Sequence, residues 1–351
     1  FAKPAVGPLF VNIFIIGGIL LLYDSPIENL GFAVIFGAAV QLIWLFCLLF
    51  SSGISAKNAF SRETFKSEIF MVFLKQTAPV AMWIFLTPIV PLFERYLMSL
   101  QQEGSVAILN YTDKILYLPL GVISISLANA AFPNLSLAVL EKRNVRIELL
   151  EKFLWLLVIC MFPIQVLMNS CSLEISQIIY QRGQFGELES RLTTDLLSAY
   201  SWSLIPVSGT LLLNRLFFAA GQFKIPFFAG LVTILLQLSA DAFLVPRFGP
   251  IGIGWGASIA SIFQTTALLA ILGFKSGTGV AWYCAKPLFL ALILAEGFNL
   301  VLPGFFYQLF VFLPSGKMGS LLALSASWVL FQTFSILFFR YGLPRTKSCE
   351  V

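Results

Sequence analysis

Eight charged side chains interrupt long apolar stretches of this chain: Lys75, Glu94, Arg95, Asp113, Lys114, Arg215, Asp241 and Glu296. A charge at the centre of a lipid-spanning helix costs about 2.5 to 3.5 kcal/mol on insertion scales, so each needs a partner, a wet cavity or a task. Acids and bases are equal in number, which fits a hydrated internal cleft better than scattered accidents. Lys75, Glu94, Arg95 and Arg215 stand near span ends, where reaching out to the interface is the plain alternative. Asp113 and Lys114 lie deeper. Consecutive helical residues are about 100° apart, so this pair is expected on one side of its helix, at the edge of a cleft. Gln237 and Asp241 are four apart and share a helix face. With Glu94 and Ser258 from other spans they form an oxygen-rich set suited to a hard cation such as Na⁺; the alternative is a polar interhelical hydrogen bond.

The elements that must position these groups follow from composition. Of 351 residues, 58% are hydrophobic, 15% aromatic and 11% charged, against about a quarter charged in soluble domains. With 36 Phe and a mean hydropathy of +0.90, the apolar surface exceeds what one soluble core buries, and a soluble globular enzyme is excluded. Histidine is absent, which removes imidazole acid/base chemistry and the usual imidazole metal sites. Ten apolar segments approach the roughly 20 residues that cross a bilayer as a helix. They run from Val6 to Tyr23, Leu30 to Phe50, Ile69 to Leu100, Val106 to Ala131, Phe153 to Cys171, Leu196 to Ala219, Pro226 to Val245, Ile251 to Phe274, Pro287 to Val311 and Gly319 to Phe339. The runs are continuous rather than alternating, which disfavours a strand barrel. An all-α polytopic membrane protein is predicted. The start, Phe1-Ala2-Lys3-Pro4, enters an apolar stretch without a signal-peptide pattern and reads as the interior of a longer chain.

If the ten segments alternate sides, 14 Lys and Arg collect on one side and only Arg182, Arg191, Arg247 and Lys317 on the other. The basic side is therefore predicted to be cytoplasmic, with both ends of the chain on it. Topology and anionic lipid account for the net charge of +5, and nucleic acid is not an expected partner. No outer-face cysteine pair or metal-binding cysteine spacing is present, so a reduced protein without disulfides is expected. Between the spans, Ser51 to Glu68 reads as a basic linker, and Phe132 to Lys152 as either an amphipathic surface helix or a solvated connector. Gly249 to Gly256 superficially resembles a nucleotide loop, but no strand precedes it; Gly252 and Gly256 are expected instead to let two helices approach closely.

One stretch carries a more specific pattern. Asn110-Tyr111-Thr112-Asp113-Lys114 is followed by Leu118-Pro119-Leu120-Gly121-Val122 and then by Phe132-Pro133-Asn134-Leu135-Ser136. With Tyr180-Gln181-Arg182-Gly183-Gln184-Phe185, Arg215-Leu216-Phe217-Phe218, Lys224-Ile225-Pro226 and the hairpin from Pro246 to Gly256, the order and spacing resemble the MurJ/MviN lipid II flippase family. That family shares a two-lobe, fourteen-helix fold with multidrug, oligosaccharidyl-lipid and polysaccharide exporters. The resemblance implies that residues 1–50 are the last two helices of the N-terminal lobe and 51–68 the cytoplasmic inter-lobe linker. Residues 69–274 would be a six-helix C-terminal lobe, and 275–351 two additional helices with a cytoplasmic tail. The first four helices of the family fold would precede this sequence.

The resemblance further implies a flippase rather than an enzyme. It would move lipid II, an undecaprenyl-pyrophosphate-linked peptidoglycan precursor, to the outer leaflet of the bacterial inner membrane by alternating access, serving cell-wall biogenesis and cell shape. Substrate-binding candidates are Lys114, Asp113, Arg215, Lys75 and Arg95, since a pyrophosphate head needs cations in a wet cleft. Lys114 stands where the family usually has Arg, keeping charge but losing the bidentate fork. Pro287 to Phe339 would supply an apolar groove for the prenyl tail. No organic cofactor is implied; Na⁺ or H⁺ is the candidate coupling ion, with Glu94, Gln237, Asp241 and Ser258 the candidate Na⁺ ligands. Membrane lipids and cell-wall synthesis proteins are the implied partners. Two other transporters share the fold: an exporter of another polyprenyl-linked saccharide, and a cation-coupled drug exporter. A polyprenyl-phosphate transferase is the rival of a different class, but it would need clustered carboxylates or a metal motif at a membrane face, which the sequence lacks.

Overall fold

The computed structural model describes residues 6–21, 28–51, 85–141, 143–181, 185–276 and 284–290, with isolated positions 71, 77, 81 and 82. The chain divides into two compact units, Phe1–Ala78 and Pro79–Val351. In the first unit, α1 (Gly7–Leu21) and α2 (Glu28–Ser51) pack as a hairpin. Their approach is close because Gly37 presents no side chain: a Cβ there would stand 2.9 Å from Cα of Val11. Both helices are apolar all round, and Leu9, Ile13, Phe32 and Phe36 are exposed. A helix apolar on every face in a shallow two-helix unit has lipid or other helices as its surroundings.

The second unit holds α3 (Ile89–Ser99), α4 (Ser105–Pro119), α5 (Ser126–Glu141), α6 (Arg143–Ser170), α7 (Ser172–Tyr180), α8 (Glu187–Ser201), α9 (Leu204–Ala219), α10 (Lys224–Phe248) and α11 (Ile251–Ser276). α4 and α5 are joined through a wide, π-type turn at Leu120–Ile125. Pro119 explains its position, since proline has no N–H for the ladder and its ring displaces the preceding turn. α8 and α9 bend by 44° at their junction. Among the described residues, five helices are long and apolar enough to cross a membrane, six if α8 and α9 count as one span. All elements among the described residues are helical, and the molecule is a multi-pass membrane protein.

The apolar runs from Val106 to Phe274 correspond to α4 with α5, α6, α8 with α9, α10 and α11. Of the run Ile69 to Leu100, α3 is the well-described part, whereas the spans Pro287 to Val311 and Gly319 to Phe339 lie outside the described residues beyond position 290, as does the linker Ser51 to Glu68 beyond Ser51. Phe132 to Lys152 does not form a separate surface helix. It is shared between the end of α5 and the start of α6.

α6 is central to the core. Leu150, Leu154, Leu157 and Met161 recur at helical spacing and are fully buried, as are Leu196, Leu197, Leu204, Ile205, Leu212 and Leu213 of α8 and α9. α11 packs along α8, α9 and α10. The α10–α11 hairpin turns at Gly249, whose φ of 66° is open to glycine and strained for other residues. Gly252 then fits against the backbone of Leu244 and Val245, where a Cβ would meet atoms at 2.7 Å. On the next face of α11, a Cβ on Gly254 would stand 2.7 Å from Cβ of Ala199 in α8. Small residues thus set the distances on both sides of α11, the packing role expected for this glycine run.

Candidate functional site

The two buried carboxylates among the described residues of the second unit, Glu94 and Asp241, lie where α3, α8, α10 and α11 meet. Glu94 on α3 is 6% exposed, and its Oε1 accepts hydrogen bonds from Gln237 Nε2 at 3.0 Å and from the Tyr200 hydroxyl at 3.4 Å. One turn beyond Gln237 on α10, Asp241 is 0% exposed, and neither carboxylate oxygen has a hydrogen-bond partner among the described residues. Gly256 of α11 leaves the room it occupies: a Cβ there would collide with Oδ1 of Asp241. Ser258, also buried, donates to the carbonyl of Ala199 at 2.7 Å and ties α11 to α8. The i, i+4 pair on α10 therefore does bring Gln237 and Asp241 to one face, and Glu94 joins Gln237 directly.

A buried carboxylate with unpartnered oxygens costs several kcal/mol unless neutralised by a proton or a positive ion. Glu94 contributes a second carboxylate held by two donors and Gln237 an amide oxygen, whereas Ser258, about 200° around α11 from Gly256, is turned to Ala199 of α8 and is not brought to Asp241. The carboxylates and the amide are oxygen donors of the type Na⁺ takes. Among the described residues no group of three or more His, Cys, Asp and Glu side chains is arranged to hold a metal ion.

A cavity of about 310 Å³ adjoins this set, and Glu94, Asp113, Tyr117, Tyr200, Gln237 and Ser261 are among the residues lining it. Asp113 is half-buried on its wall. Lys114 is exposed and does not line it. The two neighbours, expected together at the edge of one cleft, are separated: the step of about 100° is enough, at the lip of a helix bundle, to put one side chain inside and the next outside.

The basic candidates lie apart from the acids. Arg95 is exposed, with Nη2 donating a long hydrogen bond of 3.5 Å to Asn110 Oδ1. Arg215, on the last turn but one of α9, donates to Asn129 Oδ1 at 2.7 Å, with its guanidinium 5.7 Å from the ring centre of Phe132. Lys75 and Glu296 lie outside the described residues. Sequence reasoning missed Tyr200, Asn129 and Asn110, which hold Glu94, Arg215 and Arg95. A polar aromatic or an amide within an apolar run has no spacing that distinguishes a partner from an ordinary interface residue. The end of α7 and the start of the approach to α8 are anchored by aromatic contact: Tyr180 and Phe185 pack on Tyr111, and the Tyr180 hydroxyl donates to the Tyr111 carbonyl at 3.2 Å.

A multi-span helical bundle with ionisable groups gathered beside an internal cavity has the architecture of a membrane transporter. Residues 1–319 match the family described as "Lipid II flippase MurJ". The chain belongs to that family. Among similar proteins, one from Helicobacter pylori is 24% identical over 269 residues, covering 76% of this chain and 57% of that protein. One from Buchnera aphidicola of Acyrthosiphon pisum is 27% identical over 267 residues, covering 74% and 51%. One from Thermotoga maritima is 26% identical over 261 residues, again covering 74% and 51%. Each carries the name "Probable lipid II flippase MurJ". The chain thus spans 51% to 57% of the length of these relatives. The solved structure "Lipid II flippase MurJ, inward closed conformation" aligns with a TM-score of 0.72 at 22% identity, covering 97% of this chain and 68% of that one. At this identity the likeness shows the shared fold.

Proposed function

We propose that this chain is part of a lipid II flippase of the bacterial inner membrane, with both of its ends cytoplasmic, and that it carries an undecaprenyl-pyrophosphate-linked precursor between leaflets by alternating access. The observation that carries this reading is the family match over residues 1–319, joined to an exposed Lys114 at the centre of the matching motif. Lys114 acts as a point charge for the pyrophosphate. Arg95, held lightly by Asn110, is free to turn toward the same anion, whereas Arg215 is committed to Asn129 and Phe132 and serves to position α9 against α5. The prenyl chain stays in lipid, against the segments after Pro287. Division at the linker 51–68 into two lobes supplies the moving parts, and cell-wall synthesis proteins are the natural partners of such a carrier.

A test is lipid II binding by the full chain in nanodiscs. Lys114→Ala should weaken binding by about tenfold or more, the scale of a lost charge-assisted hydrogen bond, and Lys114→Arg should restore it. Unchanged binding and export by Lys114→Ala would remove Lys114 as a head-group ligand. Equal binding of a polyprenyl pyrophosphate bearing a different saccharide would favour the wider exporter reading.

A coupled cation is the second part of this reading, favoured by the unpartnered oxygens of Asp241. Glu94, Gln237 and Asp241 would hold it, and a bound positive charge would let the lobe respond to membrane potential, worth about 2.3 kcal/mol per charge per 100 mV. Asp241→Asn should abolish any Na⁺ dependence of transport. If wild-type transport and substrate binding are unchanged by Na⁺, and by that substitution, cation coupling is discarded.

A further inference from the structure

The lining of the cavity beside Glu94 includes both surface and interior residues. Thr87 and Tyr117 are exposed, whereas Glu94 and Tyr200 are 6% and 5% exposed. Asp113 lines the wall one helical turn from Tyr117. Ser203, Thr233, Gln237, Ser261 and Gln264 give the rest of the lining a polar share. A space of this size with such walls holds several waters, each needing two to four polar partners.

Asp241 is closely packed toward α11. Gly252 lies against the backbone of Leu244 and Val245, and Gly256 lies against the Asp241 carboxylate itself. Between α8 and α11, Gly254 meets Ala199 and Ser258 is bonded to the same residue. Glu94 and Gln237 line the cavity, and Asp241 follows Gln237 by one turn of α10 without lining it.

We propose that this cavity is the aqueous route by which a monovalent cation reaches the Glu94, Gln237 and Asp241 set, and that Asp113 is the carboxylate on its wall that recruits the ion. The inference rests on the cation reading given under the proposed function. Asp113 is suited to recruitment rather than final coordination because it is only half-buried and has no direct partner within the set. Its opposing charges, Arg95 and Lys114, act on it electrostatically without forming a close ion pair among the described residues. An acid so placed raises the local concentration of cations at the mouth, while a partly dry wall strengthens its reach compared with bulk water.

Equilibrium binding of ²²Na⁺ to the full chain in nanodiscs, at constant ionic strength, tests it. Wild type should bind saturably and Asp241→Asn should not. Asp113→Asn should raise the half-saturating Na⁺ concentration by about fivefold, the scale of one carboxylate acting through partly screened surroundings, and Asp113→Glu should stay near wild type. Saturable wild-type binding that Asp113→Asn leaves unaltered would overturn the recruiting role. Absence of saturable binding in wild type would instead overturn the cation reading and the proposal with it. Ser261→Cys reads the route without removing a charge. A small cationic thiol reagent should modify Cys at that position, and saturating Na⁺ should slow the modification; protection from the reagent without Na⁺ would overturn the aqueous route.

Discussion

Glu94 and Asp241 are 6% and 0% exposed, whereas Arg95 and Lys114, on α3 and α4 of the same unit, stand exposed. These two acids are inside and these two bases outside, although both pairs occur in equally apolar runs. The difference teaches which job each sign can do. A buried acid selects something small enough to enter and shed most of its water. An exposed base meets a large anion that must remain at the surface. Asp113 and Lys114 bring the contrast into one dipeptide, with the acid on the cavity wall and the base turned away from it.

The comparison predicts that disturbance inside acts on the folded lobe and disturbance outside on its ligand. Gly256→Leu is expected to have the largest effect. Its side chain would occupy the place of the Asp241 carboxylate, so stability in detergent should fall by about 3 kcal/mol, read as the melting temperature of purified protein. Gly121→Leu, where an added Cβ meets nothing within 4 Å, should leave melting nearly unchanged. Tyr200→Phe comes next. It removes the 3.4 Å hydrogen bond to Glu94 and should cost about 1 kcal/mol in the same assay. If Lys114→Met destabilised as much as Tyr200→Phe, the division between interior acids and surface bases would fail. The smallest effect is expected at the exposed pair of α8, Arg191 and Glu187, which is 2.8 Å apart but with both side chains about two-thirds exposed. Glu187→Gln should change stability by no more than about 0.5 kcal/mol, measurable by difference at low and high salt.

Much of the fold was legible because lipid imposes a simple rule: apolar stretches of spanning length must become helices. The run from Leu196 to Ala219 marked a span, although neither its 44° bend nor the early start of α8 at Glu187 is written in hydropathy. Gly252 and Gly256 could be read as packing residues, since their spacing makes one smooth face. At the site, the i, i+4 relation of Gln237 and Asp241 was sufficient to put them together, and the scarcity of acids in spans drew in Glu94. Tyr200 was not legible, because its bond to Glu94 joins residues 106 positions apart. The separation of Asp113 from Lys114 was not legible either: adjacency fixes the angle between them, but only the neighbouring helices decide where the boundary between inside and outside falls.

The wide turn after Pro119 bears on that boundary. Thr112, Leu116, Leu120, Ser124 and Ala128 are all buried along the α4–α5 rod, at intervals of four. In a regular helix of 3.6 residues per turn, every such interval overshoots by about 40°, and the stripe would wind out of the lobe within a few turns. The looser turn at Leu120–Ile125 takes up part of this excess. Ser124 can then meet Ser208 of α9 at 2.6 Å while Asp113, three turns earlier, still faces the cavity. The irregularity works as a phase correction: deleting one residue within it would turn the two halves of the rod out of step, pointing either the carboxylate or the serine contact away from the lobe.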